Sequence, residues 1–262
     1  MSASPTVSER LGELLLRFKM TTAAADLVPR LTEAGHDDAL PHLLEVLELE
    51  AQERQERRIA RLKKASKLPP GKTFDTLDTT RLPRALVQRL RELARGDFLE
   101  QAVNVLAFGL PGAGKTHSAC ALGHALVEAG HSVYFTPTFK LIQELLAAKR
   151  DLSLPRILRK LDQFELLILD EIGYVQQSEA ETEVLFTLLA ERYERRSLLI
   201  TSNLVFSEWE QIFKNPMTTV SAIDRLVHHC EILEFDVPSY RKEAAAKKAK
   251  HSRNGSSTSN ES

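Results

Sequence analysis

An eight-residue glycine-rich segment near the middle of the chain most constrains how it can fold. The segment is Gly109–Thr116, GLPGAGKT, and it follows an apolar run over 103–108. It fits the G-x-x-x-x-G-K-[ST] pattern of a phosphate-binding loop, and it stands between a predicted strand and a predicted helix, as that pattern requires. Glycines let backbone N–H groups turn towards a phosphate, and the helix adds the positive end of its dipole. The segment predicts a nucleotide-binding α/β protein.

The same segment predicts how a nucleoside triphosphate and Mg²⁺ are held. The Lys115 amine can reach the β- and γ-phosphates, and the Thr116 hydroxyl can hold Mg²⁺. We expect the nucleotide to be bound by the loop and the residue that follows it: Gly109, Leu110, Pro111, Gly112, Ala113, Gly114, Lys115, Thr116 and His117.

Apolar runs alternate with helical patterns through the rest of the central region. Strands are predicted over 103–108, 132–136, 164–171, 198–203 and 231–235, and helices over 84–95, 117–130, 139–150, 154–161, 179–196, 208–213 and 220–229. The central runs are continuously apolar, which is typical of strands covered on both faces in a parallel sheet. The pattern predicts a doubly wound α/β sheet with its polar strand ends gathered at one edge.

Polar residues end two of these predicted strands. Asp170 and Glu171 close the strand predicted over 164–171, and Asn203 ends the strand predicted over 198–203. Beside a phosphate-binding loop, the first acid of such a pair helps to hold Mg²⁺, and the second can orient and deprotonate the attacking water. An amide at Asn203 could position the same water. The alternative is that these residues only begin loops.

The N-terminal region carries helical periodicity and no strand pattern. Pro29, Gly35 and Pro41 interrupt residues 8–67 and suggest three short helices, and the sequence PPG at 69–71 marks a boundary. We expect a small all-helical domain over 1–68. An ATPase domain is expected over 69–240, with a basic, disordered tail over 241–262.

Composition narrows the class of protein further. The formal net charge is −1 over 262 residues, and the only two cysteines, Cys120 and Cys230, stand far apart. Their spacing argues against a disulfide framework or a zinc site. The sequence has neither a signal-peptide pattern nor an apolar run of membrane-spanning length, so we expect a cytoplasmic protein.

The motifs together resemble the IstB-type ATPases, which are transposition helpers of bacterial insertion sequences and relatives of the DnaC helicase loader. The resemblance extends over nearly the whole chain, including the Leu-, Glu- and Arg-rich stretch at 43–62, and it implies that the helical domain over 1–68 serves oligomerisation, DNA contact or transposase contact. Its strings are GLPGAGKT at 109–116, LILDEIGY at 167–174, RYER at 192–195, TSN at 201–203, FSEW at 206–209 and IDRLVHH at 223–229.

The resemblance implies an AAA+ ATPase, with ATP and Mg²⁺ as cofactors, that assembles on duplex DNA and helps a transposase choose and use its target site. Lys115 and Thr116 match the Walker A positions, Asp170 and Glu171 the Walker B positions, and Asn203 the sensor 1 position. Arg225 matches an arginine finger offered to a neighbouring subunit, whereas by itself an arginine in a helix is usually a surface charge. Such a finger makes hydrolysis depend on oligomerisation. The implied location is the bacterial cytoplasm, with nucleoid association when bound to DNA.

Basic residues are candidates for DNA contact in two regions. One set lies between the second and third predicted strands, where related initiators and loaders carry an extra helical element that faces DNA: Lys140, Lys149, Arg150, Arg156, Arg159 and Lys160. The other, Arg57, Arg58 and Arg61, lies in a stretch over 53–67 with seven basic and two acidic residues. Either set can instead be a solvated helix face, and the second can also meet an acidic partner protein.

Three other functions remain open from the sequence. A DnaC-like helicase loader shares the ATPase core, a small-molecule P-loop kinase shares the phosphate-binding loop, and a nucleotide-gated scaffold would bind ATP and barely hydrolyse it. His228 and His229 suggest a metal site beside Cys230, but neighbouring side chains on a helix point apart. A packing or interface role is therefore favoured for the two histidines.

Overall fold

The computed structural model describes residues 5–173, 178–205, 208–209 and 216–240. The chain divides into two compact units, Met1–Arg61 and Leu62–Ser262. The domain boundary expected after residue 68 falls within the second unit. Most of the helix predicted over 208–213 and the whole of the tail predicted over 241–262 lie outside the described residues.

The first unit is built from helices packed on a small leucine core. Helix α1 (Val7–Arg17) is followed by α2 (Thr21–Glu33) and α3 (Ala39–Ser66), the last of which continues past the end of the unit. Leu11, Leu15, Leu40 and Leu44 are buried together. α1 begins with a capping box in which Thr6 and Glu9 satisfy each other's backbone N–H groups.

The prolines do not divide this region in the predicted way. Pro29 lies inside α2, where Leu27 and Leu31 on either side of it pack on the leucine core, so packing outweighs the lost hydrogen bond. Pro41 lies in the first turn of α3, where its missing N–H has no helical acceptor to lose. The prediction of three helices is confirmed, and α3, with 28 residues, ends at Ser66, just before the boundary predicted at 69–71.

The second unit alternates helices and strands. After a short 3₁₀ turn at Thr79–Arg81, its elements are α4 (Arg84–Leu93), α5 (Asp97–Glu100), β1 (Asn104–Gly109), α6 (Lys115–Glu128), β2 (Val133–Pro137), α7 (Thr138–Arg150), α8 (Leu154–Asp162), β3 (Leu166–Ile172), α9 (Glu179–Arg192), β4 (Ser197–Ser202), α10 (Pro216–Val227) and β5 (Cys230–Phe235). The predicted strands are all present. The helix predicted over 179–196 ends four residues earlier, at Arg192.

The five described strands form one parallel sheet in the order β2-β3-β4-β1-β5. One face is covered by α6, with Cys120 and Leu122 fully buried, and the other by α7 and α9, with Leu141 and Leu185 fully buried. This confirms the doubly wound α/β fold. At the carboxyl edge Phe108 stands opposite Ser202, so the loop after β1 and the end of β4 are neighbours.

Arg192 is a buried residue that joins several elements. Its side chain is almost fully enclosed, and its guanidinium donates to the carbonyl oxygens of Leu161 at 3.0 Å, Phe164 at 3.0 Å and Ser197 at 2.9 Å. Burial lowers the pKa of Arg192 to about 10. The residue therefore connects the end of α9 to the end of α8 and the start of β4.

Among the described residues, no helix combines the length and apolar composition needed to cross a bilayer.

Candidate active site

The glycine-rich loop connects β1 to α6 through three glycines with positive φ. Gly109, Gly112 and Gly114 have φ values of 149°, 83° and 101°. A Cβ on Gly109 would lie 2.5 Å from the carbonyl oxygen of Phe235, at the end of the neighbouring strand β5. Only glycine fits this position, because the loop passes directly against the backbone of β5. The strands thus shape the loop into a cradle of backbone groups.

Lys115 occupies the centre of this loop. Its side chain is buried, and its Nζ donates to the carbonyl oxygens of Gly109 at 2.5 Å and Leu110 at 3.0 Å and to Oδ1 of Asn203 at 2.7 Å. Asn203 follows β4, which pairs with β1, so the sheet order places the two side chains together. A phosphate oxygen can take the place of these acceptors, so the residues present fit the phosphates of a nucleoside triphosphate.

Thr116 and Asp170 also meet, as the sequence predicted. The Thr116 hydroxyl donates to Oδ1 of Asp170 at 2.8 Å, and the Thr201 hydroxyl donates to the same oxygen at 2.7 Å. Hydroxyl and carboxylate oxygens are hard ligands of the kind that Mg²⁺ prefers. The donor set therefore fits Mg²⁺. Thr201 was missed from sequence, because the pairing of β3 with β4 decides that it faces Asp170.

An irregularity in the sheet sets the backbone at Glu171, the second of the two acids. The pairing of β3 with β4 shifts between Leu169 and Ile172, and Glu171 has a φ of 60°. Successive side chains of a regular strand point to opposite faces, so the shift re-aims the second acid. The Glu171 backbone N–H donates to the Thr201 hydroxyl at 2.8 Å, and its side chain is exposed and lines the cavity beside the loop.

That cavity has a volume of about 410 Å³ and extends well beyond the loop. Part of its wall comes from residues 72–82, before the sheet, and part from residues 237–240, after it. The imidazole Nε2 of His117 lies 3.0 Å from the Thr76 hydroxyl oxygen and 3.2 Å from the carbonyl oxygen of Thr73, which joins the first wall to α6.

The second wall is joined to the loop in a similar way. The backbone N–H of Tyr240 donates to the carbonyl oxygen of Gly112 at 3.0 Å, and the Arg81 guanidinium lies 5.0 Å from the centre of the Tyr240 ring. Leu77, Leu82 and Val237 add apolar surface. An apolar wall beside a phosphate cradle suits the base of a nucleotide. This apolar wall could not be predicted from the sequence, since nothing local pairs the two distant segments.

Arg225 stands apart from the other predicted catalytic residues. Its guanidinium lies 4.5 Å from the centre of the Phe186 ring, which is on α9, and Arg225 is not one of the described residues that line the cavity. Within one chain, the structure therefore brings together Lys115, Asp170, Glu171 and Asn203 without Arg225.

The two neighbouring histidines differ from the prediction. The predicted helix over 220–229 ends at Val227, and His228 and His229 lie in the turn after it, with ring centres 4.3 Å apart. The argument that helical geometry separates the two side chains was wrong, because neither residue is helical. Both side chains are exposed.

The candidate DNA-binding residues are all exposed. Three lie on α7 (Lys140, Lys149 and Arg150), three on α8 (Arg156, Arg159 and Lys160), and three on the part of α3 in the first unit (Arg57, Arg58 and Arg61). Lys149 Nζ lies 2.5 Å from a carboxylate oxygen of Glu183. The Nη2 atom of Arg57 lies 3.6 Å from Oε1 of Glu50 and 3.7 Å from Oε2 of Glu53. Pairing within the protein competes with phosphate contact at these two positions.

The sheet order, the glycine-rich loop before α6, the two acids on β3 and the amide after β4 together define a P-loop ATPase of the AAA+ class. Residues 10–249 match the family described as IstB-like ATP binding protein, and the chain belongs to that family. The family resemblance seen in the motifs is confirmed.

Named relatives agree with this membership. An insertion sequence ATP-binding protein of Sinorhizobium fredii (strain NBRC 101917 / NGR234) is 42% identical over 251 residues, which cover 94% of this chain and 84% of the relative. The insertion sequence IS21 ATP-binding protein of Pseudomonas aeruginosa is 42% identical over 178 residues, which cover 68% of this chain and 67% of the relative.

Solved structures share the fold at low sequence identity. The DnaC helicase loader superposes with a TM-score of 0.51 at 20% identity, covering 66% of this chain and 98% of that one. AMPPCP-bound DnaA from Aquifex aeolicus superposes with a TM-score of 0.55 at 16% identity, covering 71% of this chain and 57% of that one. Both likenesses concern the AAA+ fold alone.

Proposed function

We propose that this ATPase oligomerises on duplex DNA and assists a partner transposase in selecting and using its target site. The observation that carries the proposal is the exposed basic face of α8 in a member of a family whose named relatives belong to insertion sequences. Arg156, Arg159 and Lys160 are exposed, while Leu161 on the same helix is buried in the core of the second unit. A cationic face of this kind suits phosphates of any DNA sequence.

ATP hydrolysis in this proposal depends on residues of the cavity wall and on Asp170, which accepts a hydrogen bond from Thr116. Lys115 would exchange its carbonyl acceptors for phosphate oxygens, and Thr116 and Asp170 would hold Mg²⁺, which would neutralise charge on the phosphates. The carboxylate of Glu171 accepts a proton from the attacking water, and the Asn203 amide fixes that water. These roles require ATP and Mg²⁺ as cofactors.

Arg225 acts in trans in the same proposal. Because its guanidinium lies over Phe186 rather than on the cavity wall, it completes the site of a neighbouring subunit. It would stabilise the charge that develops on the γ-phosphate during hydrolysis. Hydrolysis then requires assembly, and DNA that gathers subunits should stimulate it.

The test measures ATP hydrolysis per subunit against protein concentration, with and without duplex DNA. We expect the rate per subunit to rise with concentration and to rise further with DNA. Mixing inactive Glu171→Gln with inactive Arg225→Ala should restore activity, because the first variant supplies a finger and the second supplies a complete acid pair. A rate that depends on neither concentration nor DNA, and no recovery on mixing, would contradict the assembly part of the proposal.

The partner is tested separately by capture on the immobilised ATP-bound protein. The proposal expects the transposase encoded in the same insertion sequence to be retained in a DNA-dependent manner. Retention of the replicative helicase instead would favour a helicase loader, and ADP formation by monomers without DNA would favour a small-molecule kinase.

A further inference from the structure

Three metal-binding side chains meet at the edge of the sheet opposite the nucleotide cavity. Glu194 lies in the turn between α9 and β4, and His228 and His229 lie in the turn between α10 and β5. Each turn leads into the amino end of its strand, whereas the cavity lies at the carboxyl ends. One ligand atom from each of the three residues lies within 4.8 Å of the other two.

Two of these ligand atoms already stand at the spacing of a coordination sphere. Nδ1 of His228 lies 3.6 Å from Oε1 of Glu194, and the Tyr193 hydroxyl oxygen lies 3.1 Å from the same nitrogen. Ligands bound at 2.0–2.2 Å in tetrahedral geometry stand about 3.4 Å apart. A ring nitrogen has a single lone pair, so an ion bound at Nδ1 takes the place of the Tyr193 hydroxyl. His229 needs only rotation of an exposed side chain to join the other two ligands.

A single buried asparagine joins the end of α10 and the turn after it to the start of β4. Asn104 begins β1, which lies between β4 and β5 in the sheet. Its backbone N–H donates to the carbonyl oxygen of His229 at 2.8 Å, and its Nδ2 donates to that of Leu226 at 3.3 Å. Its Oδ1 accepts from the Leu198 backbone N–H at 3.0 Å. The turn that carries the two histidines is thus held against the strand that follows the Glu194 turn.

We propose that Glu194, His228 and His229 bind a transition-metal ion, with Zn²⁺ the ion that best fits the ligands. Two imidazoles and one carboxylate suit Zn²⁺, whereas Mg²⁺ prefers oxygen ligands alone, and three protein ligands leave a fourth position for water. The ion joins the turn after α9 to the end of α10, which is also the helix that carries Arg225. The inference does not rest on the proposed function, because none of the three residues lines the nucleotide cavity.

Zn²⁺ titration of the full-length chain, without a histidine tag, nucleotide or Mg²⁺, tests the site. The readout is calorimetry or competition with a colorimetric zinc chelator. We expect one equivalent to bind and expect His228→Ala and His229→Ala each to weaken affinity at least about tenfold. His36→Ala and His42→Ala, at exposed positions of the first unit, are the controls and should bind as the wild type does. Equal affinity in the wild type and the His228 and His229 variants would overturn the site.

Two further measurements separate loss of ligands from loss of folding. Without metal, each variant should melt close to the wild type, and Zn²⁺ should raise the melting temperature of the wild type but not of Glu194→Gln. With Cu²⁺ as the probe, electron paramagnetic resonance should show two nitrogen ligands in the wild type and one in each single histidine variant. An unchanged nitrogen pattern in the double variant would place the ion elsewhere and refute the proposal.

Discussion

The Glu171 carboxylate is exposed and its backbone is left-handed, with a φ of 60°. The fold, and not a local preference, therefore directs this side chain to the cavity. We predict that Glu171→Gln binds ATP as the wild type does and hydrolyses it about 10²–10⁴-fold more slowly, because the amide cannot accept the proton of water. Fluorescent-nucleotide binding and phosphate release measure the two quantities. Glu179→Gln, at an exposed position in the first turn of α9, is the control. Wild-type turnover in Glu171→Gln would remove this residue from the mechanism.

Gly109 and Gly12 provide a matched pair of glycine substitutions. Gly109→Ala should destabilise the second unit by about 1–3 kcal/mol from backbone strain alone, since its φ is 149° and its Cβ meets the Phe235 carbonyl. Gly12→Ala lies within α1 with nothing within 4 Å of the new Cβ, and it should stabilise the first unit by about 0.5–1 kcal/mol. Urea denaturation measures both, and the same sign for both would be the contrary result.

Single residues of the site differed in how far the sequence could predict them. Lys115, Asp170 and Asn203 could be predicted together, because strand ends of a parallel sheet gather at one edge. The contact of Thr201 with Asp170 and the re-aimed Glu171 could not, because both follow from a register shift between paired strands. Strand register depends on interactions that are distant in sequence.

At the scale of elements, Arg192 holds the end of α9 against its neighbours. Arg192→Met should cost about 3 kcal/mol or more, because it leaves buried carbonyl oxygens without their charged donor. Arg195→Met is the control: Arg195 is largely exposed and pairs with Asp162 at 2.8 Å, a surface ion pair worth below about 1 kcal/mol. Thermal and urea unfolding compare the two, and equal losses would contradict the structural role of Arg192.

Glu165 joins β3 to the residues before β2 and gives stability a dependence on acid pH. Burial raises the pKa of Glu165, but hydrogen bonds from His131 and Ser132 outweigh burial and leave the pKa below its ordinary value. The contribution is therefore complete above about pH 4.3, the ordinary glutamate pKa, and is lost as pH falls through the lowered native value.

The matching experiment compares the wild type with Glu165→Gln by urea unfolding at pH 6, 4.5 and 3. The wild type should be more stable at pH 6, and its advantage should shrink towards pH 3. The exposed Glu100→Gln variant at the end of α5 is the control. An advantage that stays constant with pH would show that this carboxylate does not contribute through its charge.

The existence of most elements could be predicted from local pattern, but their ends could not. Apolar runs predicted β1 to β5, whereas α9 ends at Arg192 because that side chain turns inwards to bind carbonyl groups. The strand order β2-β3-β4-β1-β5 could not be predicted from the sequence either, since two of its four neighbouring pairs, β4-β1 and β1-β5, are not consecutive in the chain. Helix α3 includes Pro41 because this residue falls in the first turn, where a helix tolerates proline.

For the whole molecule, DNA affinity should depend on salt through the face of α8. Replacing Arg156, Arg159 and Lys160 by Gln should weaken duplex binding at every sequence tested. It should also reduce the slope of log affinity against log salt by about 2.7 if all three contact phosphates. Fluorescence anisotropy over a salt series measures the slope. The parallel triple variant at Arg57, Arg58 and Arg61 tests the first unit, and an unchanged slope in the α8 variant would exclude that face.

The cavity walls have a consequence for truncated and frameshifted copies of the chain. Residues 72–82 and 237–240 stand at the two ends of the ATPase fold and close on the same cavity through His117 and Gly112. A truncation at Phe235 would keep the five described strands and the whole loop but would remove the wall at 237–240. Nucleotide binding therefore requires both ends of this region, and frameshifted or prematurely ended copies of the chain should fail to bind nucleotide.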